Sequence, residues 1–186
     1  MSSAVSICNK ALRYLGGTAI SSLEEDSQGA KLCRQFYPEV RDELLEAHNW
    51  SFATAYVRLA ALSEVPPFTF ARVYQLPADC LRVRHLQNGK AFEQVAGRKL
   101  YTDSYPAEAV VTSHITDPSD YPAQFVELLS RKLAAELAVP LMNSTKLESN
   151  MMQKYLAAFE RATDADVGTH AEQQTESDGW IQVREL

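Results

Sequence analysis

CLRVRHLQNGKAFEQVAGRKLYT, residues 80–102, is where the pattern of the chain changes. On either side of it apolar residues recur every three or four positions. Inside it Leu81, Val83 and His85 alternate with Arg82 and Arg84, the two-residue period of a half-exposed strand. Asn88-Gly89 follows, a pair that tolerates positive φ at both places and so predicts a two-residue hairpin turn. Phe92 to Val95 and Lys99 to Thr102 flank a second turn at Ala96-Gly97, and Ala109, Val111, Ser113 and Ile115 make a last alternating run. About four or five short antiparallel strands are therefore expected over 66–115, as an insert between helices.

Upstream, Val5, Cys8, Leu12 and Leu15 share one helical face, which predicts a helix over 3–15. Ser3 suits its cap and Gly16-Gly17 its left-handed stop. A second helix is expected from Asp26 or Ser27 to His48, with Ala30, Cys33, Tyr37, Val40, Leu44 and Ala47 as its stripe. Pro38 lies inside that stripe and predicts a kink or break. Trp50 and Phe52, two apart after this helix, are expected to fill the seam between bundle and insert.

Downstream, helical spacing returns near Ser119, with Pro122 in the first turn, where its missing N–H does no harm. Phe125, Leu129, Leu133 and Leu137 lie four apart, Ala134, Ala135 and Ala138 permit close helix contact, and Pro140 is expected to end the helix. Thr145 and Glu148 have the spacing of a capping box for a fourth helix. Met152, Tyr155, Phe159 and Ala162 are its expected stripe, fading by Asp166. From Val167 onward the chain is polar and acidic until Trp180, Ile181, Val183 and Leu186. Such a segment orders only when a partner supplies the surface to bury.

The expected fold class is α+β, mainly α. Residues 1–65 and 116–166 form an antiparallel bundle of about four helices. Residues 66–115 form an inserted small antiparallel β subdomain, and 167–186 an extended C-terminal docking tail.

The net charge of −6 and pI near 5.2 argue against a protein whose main task is gripping phosphates. Charge is unevenly spread. From Phe70 to Leu100, Arg72, Arg82, Arg84, Lys90, Arg98 and Lys99 face only Asp79 and Glu93. From Glu160 to Leu186, seven carboxylates face only Arg161 and Arg184. Ends of opposite sign attract or orient neighbouring copies, which makes Arg82, Arg84, Arg98 and Lys99 candidates for a charged ring or interface.

Little in the chain asks for chemistry. The four histidines are scattered without ligand spacing, and the three cysteines form no CxxC, so buried thiols in a reduced compartment are expected. Glu24-Glu25-Asp26 and Asp164/Asp166 fall at helix ends, where helix-dipole and solvent interactions account for them. No serine sits in a Gly-x-Ser-x-Gly elbow, and no glycine run cradles phosphate. No catalytic, metal or cofactor site is predicted, and no cofactor. There is no charged-then-apolar leader and no apolar run of about 18 residues, so synthesis in a cytoplasm and no membrane partner are expected.

One ordered set of segments resembles a known family. It begins at Ile7-Cys8-Asn9-Lys10-Ala11-Leu12 with Leu15-Gly16, then Ile20-Ser21-Ser22-Leu23 and Arg41-Asp42-Glu43-Leu44-Leu45. Asn49-Trp50-Ser51-Phe52-Ala53 with Arg58-Leu59-Ala60 follows, then Tyr74-Gln75-Leu76-Pro77-Ala78-Asp79-Cys80-Leu81-Arg82-Val83. Thr116-Asp117-Pro118 and Leu133-Ala134-Ala135-Glu136-Leu137-Ala138-Val139-Pro140-Leu141 complete it. Together they resemble the tail tubular protein A family of T7-like short-tailed bacteriophages, the adaptor or gatekeeper-ring proteins of the head–tail junction.

The resemblance implies a non-enzymatic structural adaptor, made in the host bacterial cytoplasm and placed in the virion tail. It implies a dodecameric homo-oligomer ring between the portal protein and the tail nozzle protein, with DNA passing through its channel without specific recognition during ejection. The end of the chain departs from the family pattern. Trp180, Ile181, Val183 and Leu186 are expected to dock on the portal or a neighbour. Three other readings stay open: a head-completion connector of a long-tailed phage or prophage, a tail-associated polysaccharide hydrolase using paired carboxylates, and a DNA-gripping module using the four basic residues.

Overall fold

A reciprocal cap opens the first helix. The Ser6 backbone N–H donates to Ser3 Oγ and the Ser3 N–H to Ser6 Oγ, at 3.1 and 2.9 Å, so α1 (Ala4–Tyr14) starts with two of its orphan donors satisfied. It stops where predicted, with Gly16 at φ +74 and the Gly17 N–H donating to the Leu12 carbonyl at 2.9 Å. The structure, a computed structural model, describes residues 2–67 and 69–182, with side chains as far as 166.

The fold is α+β and mainly α, with four α-helices and seven strands among the described residues. The chain divides into two compact units, Met1–Leu44 with Asp117–Leu186, and Leu45–Thr116. The second begins earlier than the expected boundary at 66, because Thr54–Arg58 and Ala60–Leu62 are strands β1 and β2. Strand β1 pairs with Glu108–Ser113, some fifty positions on, and β2 with Arg72–Gln75 across residues 63–71, so no tight turn announced either.

In the first unit Ser27 Oγ accepts from the Ala30 N–H at 3.3 Å and starts α2 (Gln28–Ala47). Pro38 does not break it; the helix continues through, at the loss of one backbone bond. Helix α3 (Ala123–Met142) follows Pro122 and passes through Pro140, contrary to the expected stop there. Asn143, in the left-handed region at φ 49, ends it instead, its N–H donating to the Val139 carbonyl at 2.8 Å.

Helix α4 spans Thr145–Gln182. Its cap is Ser144, whose Oγ accepts from the Leu147 N–H at 3.2 Å, one residue ahead of the expected Thr145–Glu148 box. Its buried line is Met151, Ala158 and Ala162, while Met152, Tyr155 and Phe159 are half-buried. The backbone also stays helical past Asp166, where fading and an extended tail were expected. Without proline beyond that point, each further residue adds a bond to a helix already nucleated.

Ile7, Cys8 and Leu12 of α1, Cys33 and Leu44 of α2, and Phe125, Leu129, Leu133 and Leu137 of α3 are 1% exposed or less. Asn9 ties the chain after α1 in place from both ends of its amide: Nδ2 donates to the Ile20 carbonyl and Oδ1 accepts from the Ile20 N–H, each at 2.8 Å. Cys8 and Cys33 hydrogen-bond to each other in this core, which together with burial pushes the Cys8 thiol well above the usual range. Cys80 is half-buried.

Tyr37 and Tyr121 are buried on the same side as Arg41. Burial pushes the Tyr121 phenol up to about 12 and Tyr37 upward as well, since an ionised phenol loses its hydration there. A phenol with a raised folded pKa contributes stability that is complete below its unfolded pKa of about 10 and is lost as pH rises through the folded value. A loss of about 2 kcal/mol attributable to Tyr121 is expected between pH 10 and 12. Alkaline thermal melts of Tyr121→Phe should lack that part of the decline; identical alkaline slopes would refute it.

In the second unit the strands form two antiparallel sheets. One has the order β1–β7–β4, with β7 at Glu108–Ser113 and β4 at Cys80–Leu86. The other has the order β2–β3–β6–β5, with β3 at Arg72–Gln75, β5 at Phe92–Val95 and β6 at Lys99–Thr102. Tyr74, Leu76, Val83, Leu86, Leu100, Ala109 and Val111 from both sheets form one apolar core.

The Ala96-Gly97 turn joins β5 to β6 as expected, Val95 pairing with Lys99. Asn88-Gly89 does turn the chain, with the Gly89 N–H on the Leu86 carbonyl at 2.9 Å. It does not make a hairpin, because β4 pairs with β7 and β5 with β6. Strand β7 is central and buried from Ala109 to Ser113, so its alternation does not separate a wet face from a dry one.

Candidate interaction surfaces

The four basic residues singled out from the sequence do not form a free charged stripe. Register shifts in β4 between Cys80 and Arg82 and between Val83 and His85 upset simple alternation. Val83 and Leu86 are buried, and Arg84 is half-buried. The Arg84 guanidinium donates from Nε to Thr112 Oγ1 at 2.9 Å, from Nη1 to Thr54 Oγ1 at 2.7 Å and from Nη2 to the Trp50 carbonyl at 3.0 Å. Its task is to tie β4, β7 and the Trp50 turn together. Trp50 is 2% exposed, with the His48 ring edge-on at 4.8 Å.

Arg98 sits in the β5–β6 turn at φ 58 and donates to the carbonyls of Pro77 and Ala78. Its own carbonyl accepts from the Leu76 N–H and from Gln75 Nε2, each at 2.8 Å. The Leu76-Pro77-Ala78-Asp79 turn is thereby locked to the hairpin. Lys99 Nζ meets Glu64 at 2.6 Å, and that contact holds the ammonium above its ordinary pKa. Arg82 is exposed and reaches Asn49 Oδ1 at 2.6 Å.

The window from Phe70 to Leu100 looked basic because Glu64, which pairs with Lys99, lies outside it. Lys90 Nζ, by contrast, donates to the neutral backbone carbonyl of Asp103 at 3.4 Å and keeps its charge. Of the four candidates, Arg82 presents its charge most openly.

Trp180 and Ile181 lie on the stretch of α4 described by backbone alone, and Val183 and Leu186 lie outside the described residues. The acidic group before α2 is engaged locally. Glu25 Oε2 accepts from the Ser21 N–H and Oγ, both at 2.9 Å, which hold its carboxyl below the usual range. Asp26 pairs with Lys31 at 2.5 Å and Glu24 with Arg34 at 3.1 Å. Among the described residues no cluster of three His, Cys, Asp or Glu could hold a metal ion, and no helix is long and apolar enough to cross a membrane.

A polar cluster in the first unit was not foreseen. Glu127 of α3 accepts from Lys10 Nζ at 2.5 Å, from Tyr14 OH at 2.9 and 3.0 Å, and from Arg131 Nε at 2.6 Å. Arg131 also lies over the Tyr14 ring, 5.1 Å from its centroid. Burial acts to raise the Glu127 carboxyl, but the Lys10 and Tyr14 hydrogen bonds and the two cations outweigh it and hold it below the ordinary range. Only the four-residue step from Glu127 to Arg131 was visible in the sequence; Lys10 and Tyr14 arrive from a segment more than a hundred residues away.

Beside this cluster Tyr14, Lys146, Met151 and Lys154 line an open cavity of about 420 Å³. It continues past Tyr14 and Met151 into one of about 340 Å³ reached by Arg131 and Arg161. Lys154 and Arg161, seven apart on α4, are the sequence signal for this face.

In comparisons with known proteins, no family model matches the chain, and none of the curated proteins matches it.

Proposed function

We propose that this chain is a structural adaptor of a phage tail, joining portal to nozzle as a ring around the DNA channel. The observation that carries the reading is the ordered set of segments resembling the tail tubular protein A family. Several of those segments have identifiable structural tasks in this chain. Asn9 clamps Ile20, Gly16 ends α1, Trp50 is buried and its carbonyl receives Arg84, and Leu76 to Asp79 form the turn that Arg98 closes. A bundle carrying a β unit is the architecture that the resemblance implies.

In this reading copies associate side to side through heterologous contacts and close into a ring, with no turnover of a substrate. The deciding experiment is negative-stain microscopy of the purified chain mixed with its cognate portal. Rings capping the portal are expected, and a mixture that never gives them overturns the proposal. Removal of residues 176–186, with Trp180 as the anchor, is expected to leave the melting temperature unchanged and weaken portal binding by about tenfold or more. Equal portal affinity in a pull-down titration would retire the docking role of the tail.

A further inference from the structure

The open groove on the first unit pairs an apolar floor with a cationic rim. Tyr14 and Met151 form the floor; Lys146, Lys154 and Arg161 stand at the rim, all exposed. Arg131 is paired with Glu127, whereas among the described residues Lys146 and Lys154 meet no carboxylate, and Arg161 gives Nε to the Ala157 carbonyl of its own helix. Uncompensated cations around an apolar floor suit a segment that is acidic and apolar together.

We infer that this groove receives the acidic C-terminal segment, residues 172–186, of a second copy of the chain. That segment carries Glu172, Glu176 and Asp178 ahead of Trp180, Ile181 and Val183, then Glu185, against the single cation Arg184, the complement of the groove in both respects. A second copy is required because α4 supplies the groove and then continues to Gln182. At about 1.5 Å per residue, Trp180 lies roughly 28 Å further along the helix from Arg161. A chain of net charge −6 is also poorly suited to hold a long polyanion there. The inference deepens the tail-docking part of the adaptor reading and rests on it only in taking the tail as the docking element; it needs neither portal nor virion.

The test is fluorescence anisotropy of a labelled peptide of residues 170–186 titrated with the full chain, below the concentration at which the chain self-associates. Saturable binding that weakens with salt is expected, together with a loss of about tenfold or more in the Lys154→Glu/Arg161→Glu variant. A peptide carrying Glu172→Lys, Glu176→Lys and Asp178→Lys should restore binding to that variant and bind the natural chain poorly. Both replaced residues are exposed, so the melting temperature should hold. Equal affinity for the two chains, no binding at all, or a short DNA duplex occupying the groove where the peptide does not, would each overturn the inference. Rings on the portal without peptide binding sink this inference alone; peptide binding without rings sinks the adaptor reading alone.

Discussion

Replacing Arg84 with alanine is expected to destabilise the β unit by about 3 kcal/mol, because three charge-assisted hydrogen bonds disappear together. Thr112 Oγ1 sits on a fully buried residue of the central strand, and the Trp50 carbonyl loses its charged donor while keeping the Thr54 hydroxyl at 2.8 Å and the Ala53 N–H at 3.3 Å. Lysine at this position supplies one point charge in place of a planar fork and should recover less than half of the loss. Arg82→Ala, two residues away on the exposed side with a single bond to Asn49, is expected to change stability by no more than about 0.5 kcal/mol. Denaturant unfolding followed by the fluorescence of buried Trp50 distinguishes the two. Similar midpoints for both variants would show that Arg84 is not the tie described.

The second large effect concerns Glu127. Removing its carboxylate in Glu127→Ala strands two cations and a phenol that converge on it, at an expected cost of about 2–3 kcal/mol, reduced from the value for a buried charge because Glu127 is 30% exposed. Glu127→Gln keeps an acceptor for Tyr14 and should lose about half as much. The folded carboxyl lies below its unfolded value of 4.5, so its contribution is complete above that pH and disappears as pH falls through the folded value. Melting curves from pH 7 to pH 3 should therefore show the natural chain and Glu127→Gln converging in acid. A gap that stays constant over that range would exclude the ionised carboxylate as its source.

Elements whose signals are local were legible before the structure. Ser3 and Gly16 bound α1, the four-residue leucine spacing places α3 in the core, and Gly97 turns β5 into β6. What the chain concealed depends on partners far along it. Strands β1 and β2 carry suitable residues, but Arg58 faces Glu108 across fifty positions, and nothing near Thr54 points there. Asn88-Gly89 has the chemistry of a hairpin turn, yet each flanking strand finds a better neighbour in a different sheet. Pro38 and Pro140 are tolerated within α2 and α3, where burial of the surrounding residues compensates for a missing donor.

Two of the basic candidates, Arg84 and Lys99, are engaged within the β unit for a related reason. A charge count over a window treats each cation as facing outward, whereas Arg84 is turned inward by a bulged strand and Lys99 is neutralised by a residue outside the window. The groove itself was not legible because its walls come from three helices, Tyr14 from α1, Arg131 from α3 and Lys154 from α4, although its rim cations share one helix.

The bond from Tyr14 to Glu127 spans 113 positions, and β7, the last strand to be synthesised, lies between β1 and β4. On the ribosome, at about 5–20 residues per second, α1 therefore waits on the order of ten seconds for its acceptor on α3 to emerge. The three-stranded sheet likewise stays without its middle member until Ser113 is translated. During that interval the apolar face of α1 and the unpaired edges of β1 and β4 are exposed to other nascent chains. This interval is when premature association between copies is most dangerous, and slowing translation after Ser113 should prolong the exposure of α1 while leaving the sheet free to form.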